Sequence, residues 1–110
     1  MKNKNFLLIT FFAIFFNSQN LIADEAKMTK GLEIFNETAV CSACHILKAA
    51  GSEGNIGPNL DTVSNLTIES VKDIVTNGLG VMPAFGEGGI LTKEEIDIVS
   101  FYVVNSAANN

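Results

Sequence analysis

The sequence predicts a small all-α domain in which three main helices are joined by irregular loops. Apolar residues recur every three to four positions in three separate stretches, as they do along one face of an α-helix. No stretch alternates apolar and polar residues in the way that a half-buried strand does. Glycine and proline cluster between the periodic stretches, and such clusters are typical of loops.

Residues 1–23 have the features of a secretory signal peptide. Lys2 and Lys4 precede an apolar run over residues 6–16, and Ala23 offers a small residue for cleavage. A helix as long as the apolar run, at about 1.5 Å per residue, crosses roughly half of a ~30 Å hydrocarbon core, so we expect no stable membrane span. The predicted organisation is a signal peptide at 1–23 and one domain at 24–110, exported to the periplasm.

Residues 24–110 are acidic, with 12 acidic side chains and no arginine, which gives a net charge of about −7. This balance argues against nucleic acid or anionic lipid as a partner and is compatible with a protein partner that carries a basic patch. A domain of this size buries a modest core and usually needs an additional stabilising element. Its two cysteines are too close in sequence to close a useful disulfide loop.

The first helix is predicted over 26–38, where Met28, Leu32 and Phe35 form an apolar stripe. Gly31 lies inside this pattern at a cost of about 1 kcal/mol relative to alanine. A glycine in such a place indicates either a close approach of another backbone or an incidental residue. After residue 45, another helical turn is expected within 46–50.

Two clearer helices follow. One begins at Thr67 and has Gly78 where a C-terminal cap belongs. The other opens with a capping box from Thr92 to Glu95 and carries a stripe of Ile96, Val99 and Val103, widened by Ile98, Phe101 and Tyr102. We expect the polar tail at 105–110 to fray.

The chemistry of the chain centres on residues 41–45, Cys-Ser-Ala-Cys-His. Two cysteines separated by two residues and followed at once by histidine are the attachment signature of c-type haem. Each sulfur adds across one haem vinyl group, and one helical turn presents Cys41 and Cys44 to the same porphyrin edge. His45 then lies under the iron, where a neutral imidazole nitrogen can bind it.

Other interpretations of this motif are a redox dithiol, half of a zinc site, or two buried thiols beside an ordinary histidine. A zinc site would need two carboxylates, because the sequence has no further cysteine or histidine. A thioredoxin-like dithiol requires a strand-helix-strand setting, which residues after His45 do not suggest. Two buried thiols would leave the adjacency of the three residues unexplained.

Two loops supply further candidates. The stretch Gly-Pro-Asn-Leu at 57–60 suits a rigid loop that aims a carbonyl at the free nitrogen of His45, as metal-bound imidazoles commonly require, although a simple turn is the alternative. In the second loop, Met82 precedes Pro83. Met1 lies in the signal peptide and Met28 in a helical stripe, so Met82 is the best-placed methionine for the second axial position. Lysine, asparagine or an open position are the alternatives.

The ordered set of residues 41–45, 57–60 and Met82-Pro83 resembles that of class I c-type cytochromes of the short, single-haem bacterial kind, over roughly residues 30–107. The resemblance implies a cytochrome c-like fold around one covalently bound haem, with Cys41 and Cys44 as thioether donors and His45 and Met82 as axial ligands. It further implies that the Pro58 carbonyl accepts the His45 N–H, that Leu60 packs on the haem, and that Gly31 and Phe35 contact Phe101 on the last helix. The chain lacks the tryptophan and arginine that some relatives use for the propionates, which leaves backbone amides, asparagines or Lys72 as candidates.

The expected function is a soluble periplasmic one-electron carrier with a six-coordinate haem, and not an enzyme. Its partners would be redox proteins: a donor dehydrogenase or cytochrome complex, and an acceptor oxidase or another cytochrome. An alternative is a cytochrome subunit of a periplasmic dehydrogenase complex, since residues 49–61 and 82–85 are similar to subunits of sulfite-oxidising molybdenum enzymes. A thiol-disulfide oxidoreductase using Cys41 and Cys44, and a haem gas sensor in which Met82 is absent from the iron, are further hypotheses.

Overall fold

The computed structural model describes residues 20–108 and contains three α-helices: α1 at 20–33, α2 at Ile68–Asn77 and α3 at Lys93–Ser106. The all-α prediction is therefore confirmed. Most of the predicted signal peptide lies outside the described residues and stays a prediction. Within the described range, no helix is both long and apolar enough to cross a membrane.

The first helix continues past its α-helical part as a π-helical turn at Ile34–Thr38, so its end agrees with the prediction and its start lies before residue 26. The wider turn is closed by the Ala39 N–H, which donates to the Ile34 carbonyl at 2.9 Å. Ile34 and Phe35, although adjacent in sequence, are 0% and 1% exposed. Both side chains therefore belong to the core. The apolar stripe predicted from the sequence contained Phe35 but not Ile34. Such turns are frequent near functional sites.

A small hairpin follows the cysteine motif, which itself forms a 3₁₀ turn at Cys41–Ala43. Strand β1 (Ile46–Leu47) pairs antiparallel with β2 (Ser52–Glu53), and a 3₁₀ turn at Lys48–Ala50 connects them. The predicted helical turn is thus present only over the connection. Two-residue strands are too short to show any alternation in sequence, and the hairpin is held in part by the buried Ser52 hydroxyl, which accepts from the Leu47 N–H at 2.9 Å.

The ends of α2 and α3 are set by local chemistry. Thr67 and Ser70 cap each other reciprocally at the start of α2, and Thr92 and Glu95 do so at the start of α3. Gly78 is the C-cap of α2, as predicted, and its N–H donates to the Ile74 carbonyl at 2.7 Å; with φ of 75° and ψ of 169° it has an extended conformation that is open essentially only to glycine, and not the left-handed helical one. The expected fraying after residue 104 is wrong up to residue 108, because α3 extends to Ser106, Ala107 is buried and the Ala108 N–H is hydrogen-bonded.

One part of the core lies where α1 crosses α3, and the rest extends to β1, α2 and the loop before α3. A Cβ at Gly31 would overlap the Cβ of Tyr102 and lie 3.2 Å from the Ile98 carbonyl oxygen, so only glycine permits this approach. The Phe35 ring lies 6.0 Å from that of Tyr102 at an interplanar angle of 58°. The prediction that Phe101 is the aromatic partner of Gly31 and Phe35 is wrong. The Phe101 ring instead lies under the Lys27 ammonium of α1, with 5.1 Å between the nitrogen and the ring centroid. One residue along a helix is a rotation of about 100°, which puts Phe101 off the face that meets Gly31.

We expect Gly31→Ala to destabilise the protein by about 1–3 kcal/mol, despite the better helix propensity of alanine, because the added methyl overpacks the contact with Tyr102. Chemical denaturation monitored by circular dichroism measures this change. Thr29→Ala, on the exposed side of α1, is the matched control and should shift the free energy of unfolding by no more than about 0.5 kcal/mol. A Gly31→Ala protein as stable as the parent would contradict the close helix crossing.

Candidate functional site

The cysteine motif is presented by a single tight turn. The Cys44 and His45 N–H groups both donate to the Cys41 carbonyl, at 3.1 and 3.0 Å. Val40, immediately before the turn, has φ of 52° and ψ of 43°, a left-handed conformation that is strained for a β-branched residue. The left-handed residue lies between the end of the first helix at Thr38 and the turn that carries the cysteine motif. Cys41, Cys44 and His45 consequently line the same cavity.

The orientation of His45 is fixed by one hydrogen bond. Its Nδ1 lies 2.7 Å from the Pro58 carbonyl oxygen. A carbonyl can only accept, so Nδ1 carries the proton and donates, and in the neutral ring Nε2 is left with a free lone pair. Gly57 packs flat against the ring: a Cβ there would lie 2.5 Å from Cε1 and 2.9 Å from Nδ1. A ring held in this way is prepared to bind a metal through Nε2.

The segment that carries Pro58 runs beside the motif in the same direction. The Gly57 N–H donates to the Cys44 carbonyl at 2.7 Å, and the Leu60 N–H donates to the Ile46 carbonyl at 3.0 Å. The Lys48 N–H then donates to the Asp61 carboxylate at 2.8 Å. We call these contacts, with the His45–Pro58 bond among them, the 44–48/57–61 ladder. It makes residues 57–60 a support for His45 and not merely a turn.

Met82 is held in a tight turn after α2. Its N–H donates to the Leu79 carbonyl at 3.0 Å, and its carbonyl accepts from the Leu79 N–H at 3.2 Å. The Phe85 N–H donates to the Val75 carbonyl at 2.9 Å, which attaches the following residues to α2. Met82 lines the same cavity as His45, whereas Met28 packs on the core and is not part of the lining. The structure thus brings together all six of the predicted site residues.

The cavity has a volume of about 450 Å³, within the range of roughly 300–1,000 Å³ typical of cofactor and small-molecule sites. Among the described residues of its lining there is no lysine, aspartate or glutamate. Apart from the cysteines and histidine the walls are apolar. They are formed by residues of the π-turn, both loops, α2 and α3, among them Phe35, Leu60, Val63, Leu66, Val71, Ile74, Val75, Phe85, Val99 and Val103.

This donor set fits a haem: two thiols on one turn, one imidazole with a free Nε2 and one thioether, around an apolar space. It does not suit the other interpretations. Burial raises the pKa of the Cys41 thiol to about 11, whereas a redox dithiol needs a lowered thiol pKa. Within residues 20–108, no group of three or more histidine, cysteine or acidic side chains is placed to hold a metal ion. A zinc site therefore has no support.

Some expectations about the site need correction or addition. Lys72, a candidate for the propionates, pairs with Asp97 at 2.7 Å and lies in a separate groove, away from the cavity. Sequence reasoning missed Asp61 and the apolar residues at the cavity mouth. An aspartate three residues after Pro58 is a weak local signal, and its second partner, the Ala108 N–H, lies 47 residues away. No local pattern could have indicated that contact.

The chain is similar to known proteins over most of its length. The family model described as "Cytochrome C oxidase, cbb3-type, subunit III" matches residues 26–103. A cytochrome c6 from Rippkaea orientalis is 32% identical over 93% of this chain and 88% of the relative. A cytochrome c6 from Gracilaria tenuistipitata var. liui is 35% identical over 94% of this chain and 96% of the relative.

A solved structure agrees with these sequence relatives. The crystal structure of the c-type cytochrome SorU from Sinorhizobium meliloti superposes with a TM-score of 0.69 at 44% identity, over 76% of this chain and 94% of that chain. Membership of this family implies covalently bound haem c with its iron. On this basis the chain belongs to the class I c-type cytochromes, which are electron-transfer proteins and not enzymes.

Proposed function

We propose that the chain is a periplasmic one-electron carrier with one covalently attached, six-coordinate haem c. The observation that supports this most strongly is that His45 and Met82 line one apolar cavity together with Cys41 and Cys44. When bound there, haem supplies an iron that alternates between the ferric and ferrous states. The signal-peptide pattern of residues 1–23 is the basis for proposing export.

In this proposal each site residue has one role. Cys41 and Cys44 would form the thioether bonds, and the Nε2 of His45 and the sulfur of Met82 would bind the iron. Pro58 keeps the His45 ring in place through the bond to Nδ1. Leu60 contributes to the apolar wall. With His45 and Met82 both holding the iron, no coordination position would be left for a substrate or a gas.

The surroundings of the iron favour the reduced state. A thioether is a weak donor to ferric iron, and an apolar cavity disfavours the more highly charged oxidised centre. The described lining contains no acidic side chain that would offset this effect. The potential should therefore be relatively positive for a haem protein.

The mouth of the cavity suggests where electrons leave. Four aliphatic side chains line the cavity and are left largely or partly uncovered by other protein residues: Val40 (48%), Ile56 (71%), Leu79 (68%) and Val81 (92%). We call them the apolar rim. An exposed apolar patch of this kind is typical of a surface that contacts a partner. The partners proposed are redox proteins, namely a donor dehydrogenase or cytochrome complex and an acceptor oxidase or other cytochrome.

The second candidate, a cytochrome subunit in a stable dehydrogenase complex, would use the same rim. The high exposure of Val81 and Ile56 is compatible with either a transient or a lasting contact. Purification of the protein from its native source at low and high salt separates the two. Co-elution with a larger enzyme supports the subunit, whereas elution alone with micromolar, salt-sensitive association supports the free carrier.

Met82→Leu tests the axial pair. In protein made with the haem-attachment machinery, this change should leave the haem covalently bound but remove the weak far-red band of a methionine-ligated ferric haem. It should also open the iron to carbon monoxide and shift the ferrous-to-ferric ratio more than about tenfold towards ferric, or ~59 mV for one electron. Visible spectroscopy and redox titration measure these effects.

Met28→Leu is the matched control, because it makes the same nearly isosteric change at a methionine outside the cavity. It should retain the far-red band and the potential of the parent. Colourless folded protein would refute haem binding altogether, and a Met82→Leu protein with an unchanged band would refute the role of Met82.

Val81→Asp tests the apolar rim. We expect the electron self-exchange rate between reduced and oxidised protein, measured by NMR line broadening, to fall by about tenfold, since the charge must be desolvated when two rims meet. At 92% exposure the change should not affect folding. Ile90→Asp, at an exposed aliphatic residue outside the cavity lining, is the control. Equal effects of the two variants would show that net charge, and not the rim, limits the rate.

A further inference from the structure

Asp61 lies where three parts of the chain meet. Its Oδ2 accepts from the Lys48 N–H at 2.8 Å, and its Oδ1 accepts from the Ala108 N–H at 3.0 Å. Lys48 follows the cysteine motif, Ala108 follows the last helix, and Asp61 itself ends the segment that carries Pro58. One partly exposed carboxylate therefore joins the support of His45 to the C-terminal end of α3.

The contact with Lys48 is the last step of the 44–48/57–61 ladder. The bond from His45 to the Pro58 carbonyl is an earlier step of the same ladder. Asn59, between them, stiffens the connection because its side-chain oxygen accepts from the Asp61 N–H at 2.9 Å. With so few residues between Pro58 and Asp61, a displacement at one end is passed to the other.

Helix electrostatics does not explain this placement. Ala107 is the C-cap of α3, and a carboxylate beside a helix C-terminus is opposed by the helix dipole. The two hydrogen bonds are charge-assisted and run from backbone N–H groups that would otherwise face solvent. The Asp61 carboxylate is thus held beside the end of α3 by its two hydrogen bonds, although the helix dipole disfavours a negative charge there.

We propose that Asp61 is a positioning residue for the iron site: by tying the ladder to α3 it holds the Pro58 carbonyl against the Nδ1–H of His45. This role rests on the proposed function. The bond to Pro58 makes the imidazole more electron-rich and a better donor to ferric iron. Loss of the Asp61 contacts loosens that bond and moves the potential in the positive direction.

The main test uses Asp61→Asn in haem-loaded protein, with Asp97→Asn as the matched control. The amide keeps the size of the side chain but can accept through one oxygen only, so one of the two contacts is lost. We expect the ferrous-to-ferric ratio at a fixed ambient potential to rise about threefold or more for Asp61→Asn. Asp97→Asn makes the same change in net charge on the exposed Lys72 ion pair and should shift the ratio less.

Ala108→Pro tests the same contact without changing charge. Proline has no N–H, and Ala107, with φ of −64° and ψ of 132°, already has the extended backbone that precedes proline. The variant should raise the ferrous-to-ferric ratio in the same direction and speed hydrogen exchange at the Lys48 N–H several-fold. Ala108→Ser keeps the N–H and should match the parent in both measurements.

The outcomes separate this role from the proposed function. A positive shift of potential together with faster Lys48 exchange in both Asp61→Asn and Ala108→Pro supports the positioning role. Haem-loaded variants with the potential of the parent overturn it, as does an equal shift in Asp97→Asn. A parent protein that takes up no haem overturns the proposed function itself, whereas exchange at the Lys48 N–H still reports whether the contact exists.

Discussion

The hydrogen bond from the His45 Nδ1 to the Pro58 carbonyl is the constraint on which the site depends. The sequence contains one histidine, so no other imidazole can replace it if the ring turns away. The bond selects the tautomer whose Nε2 is free, and the Gly57 backbone lies so close to the ring that a Cβ there would overlap it. The other contacts of the 44–48/57–61 ladder hold the two segments together on either side of this bond.

The apolar cavity adds an electrostatic constraint to the geometric one. The sequence contains 7 lysines and 12 acidic residues, yet none of these charged side chains lies among the described lining residues. The uncharged interior and the acidic surface therefore affect different properties, namely the redox potential and the association with partners. The interior sets how strongly an oxidised centre is disfavoured, and the surface sets how charged partners approach. The apolar rim, which is the proposed contact with redox partners, is where these two regions meet.

Much of the site follows from local sequence, because the cysteine motif, the 57–60 loop and the Met82 loop each carry their chemistry within a few residues. The capping box at Thr92 and the cap at Gly78 are equally local. The features that the sequence did not predict depend on the rotation of one helix relative to another, or on contacts between residues far apart along the chain. The choice between Phe101 and Tyr102 requires the phase of α3 relative to α1, and a one-residue error changes the side of the helix. The Asp61–Ala108 contact spans 47 residues.

The two proposed axial ligands lie on loops with no direct backbone bond between them, so their spacing has to be set by a shared element. That element is α3. The Met82 loop is attached to α2 through the Val75 carbonyl, and α2 packs on α3. The His45 side reaches α3 from the other direction, through the crossing at Gly31 and the contact of Asp61 with Ala108. Because both supports end at α3 or directly after it, the relative position of the two loops depends on this helix and not on either loop alone.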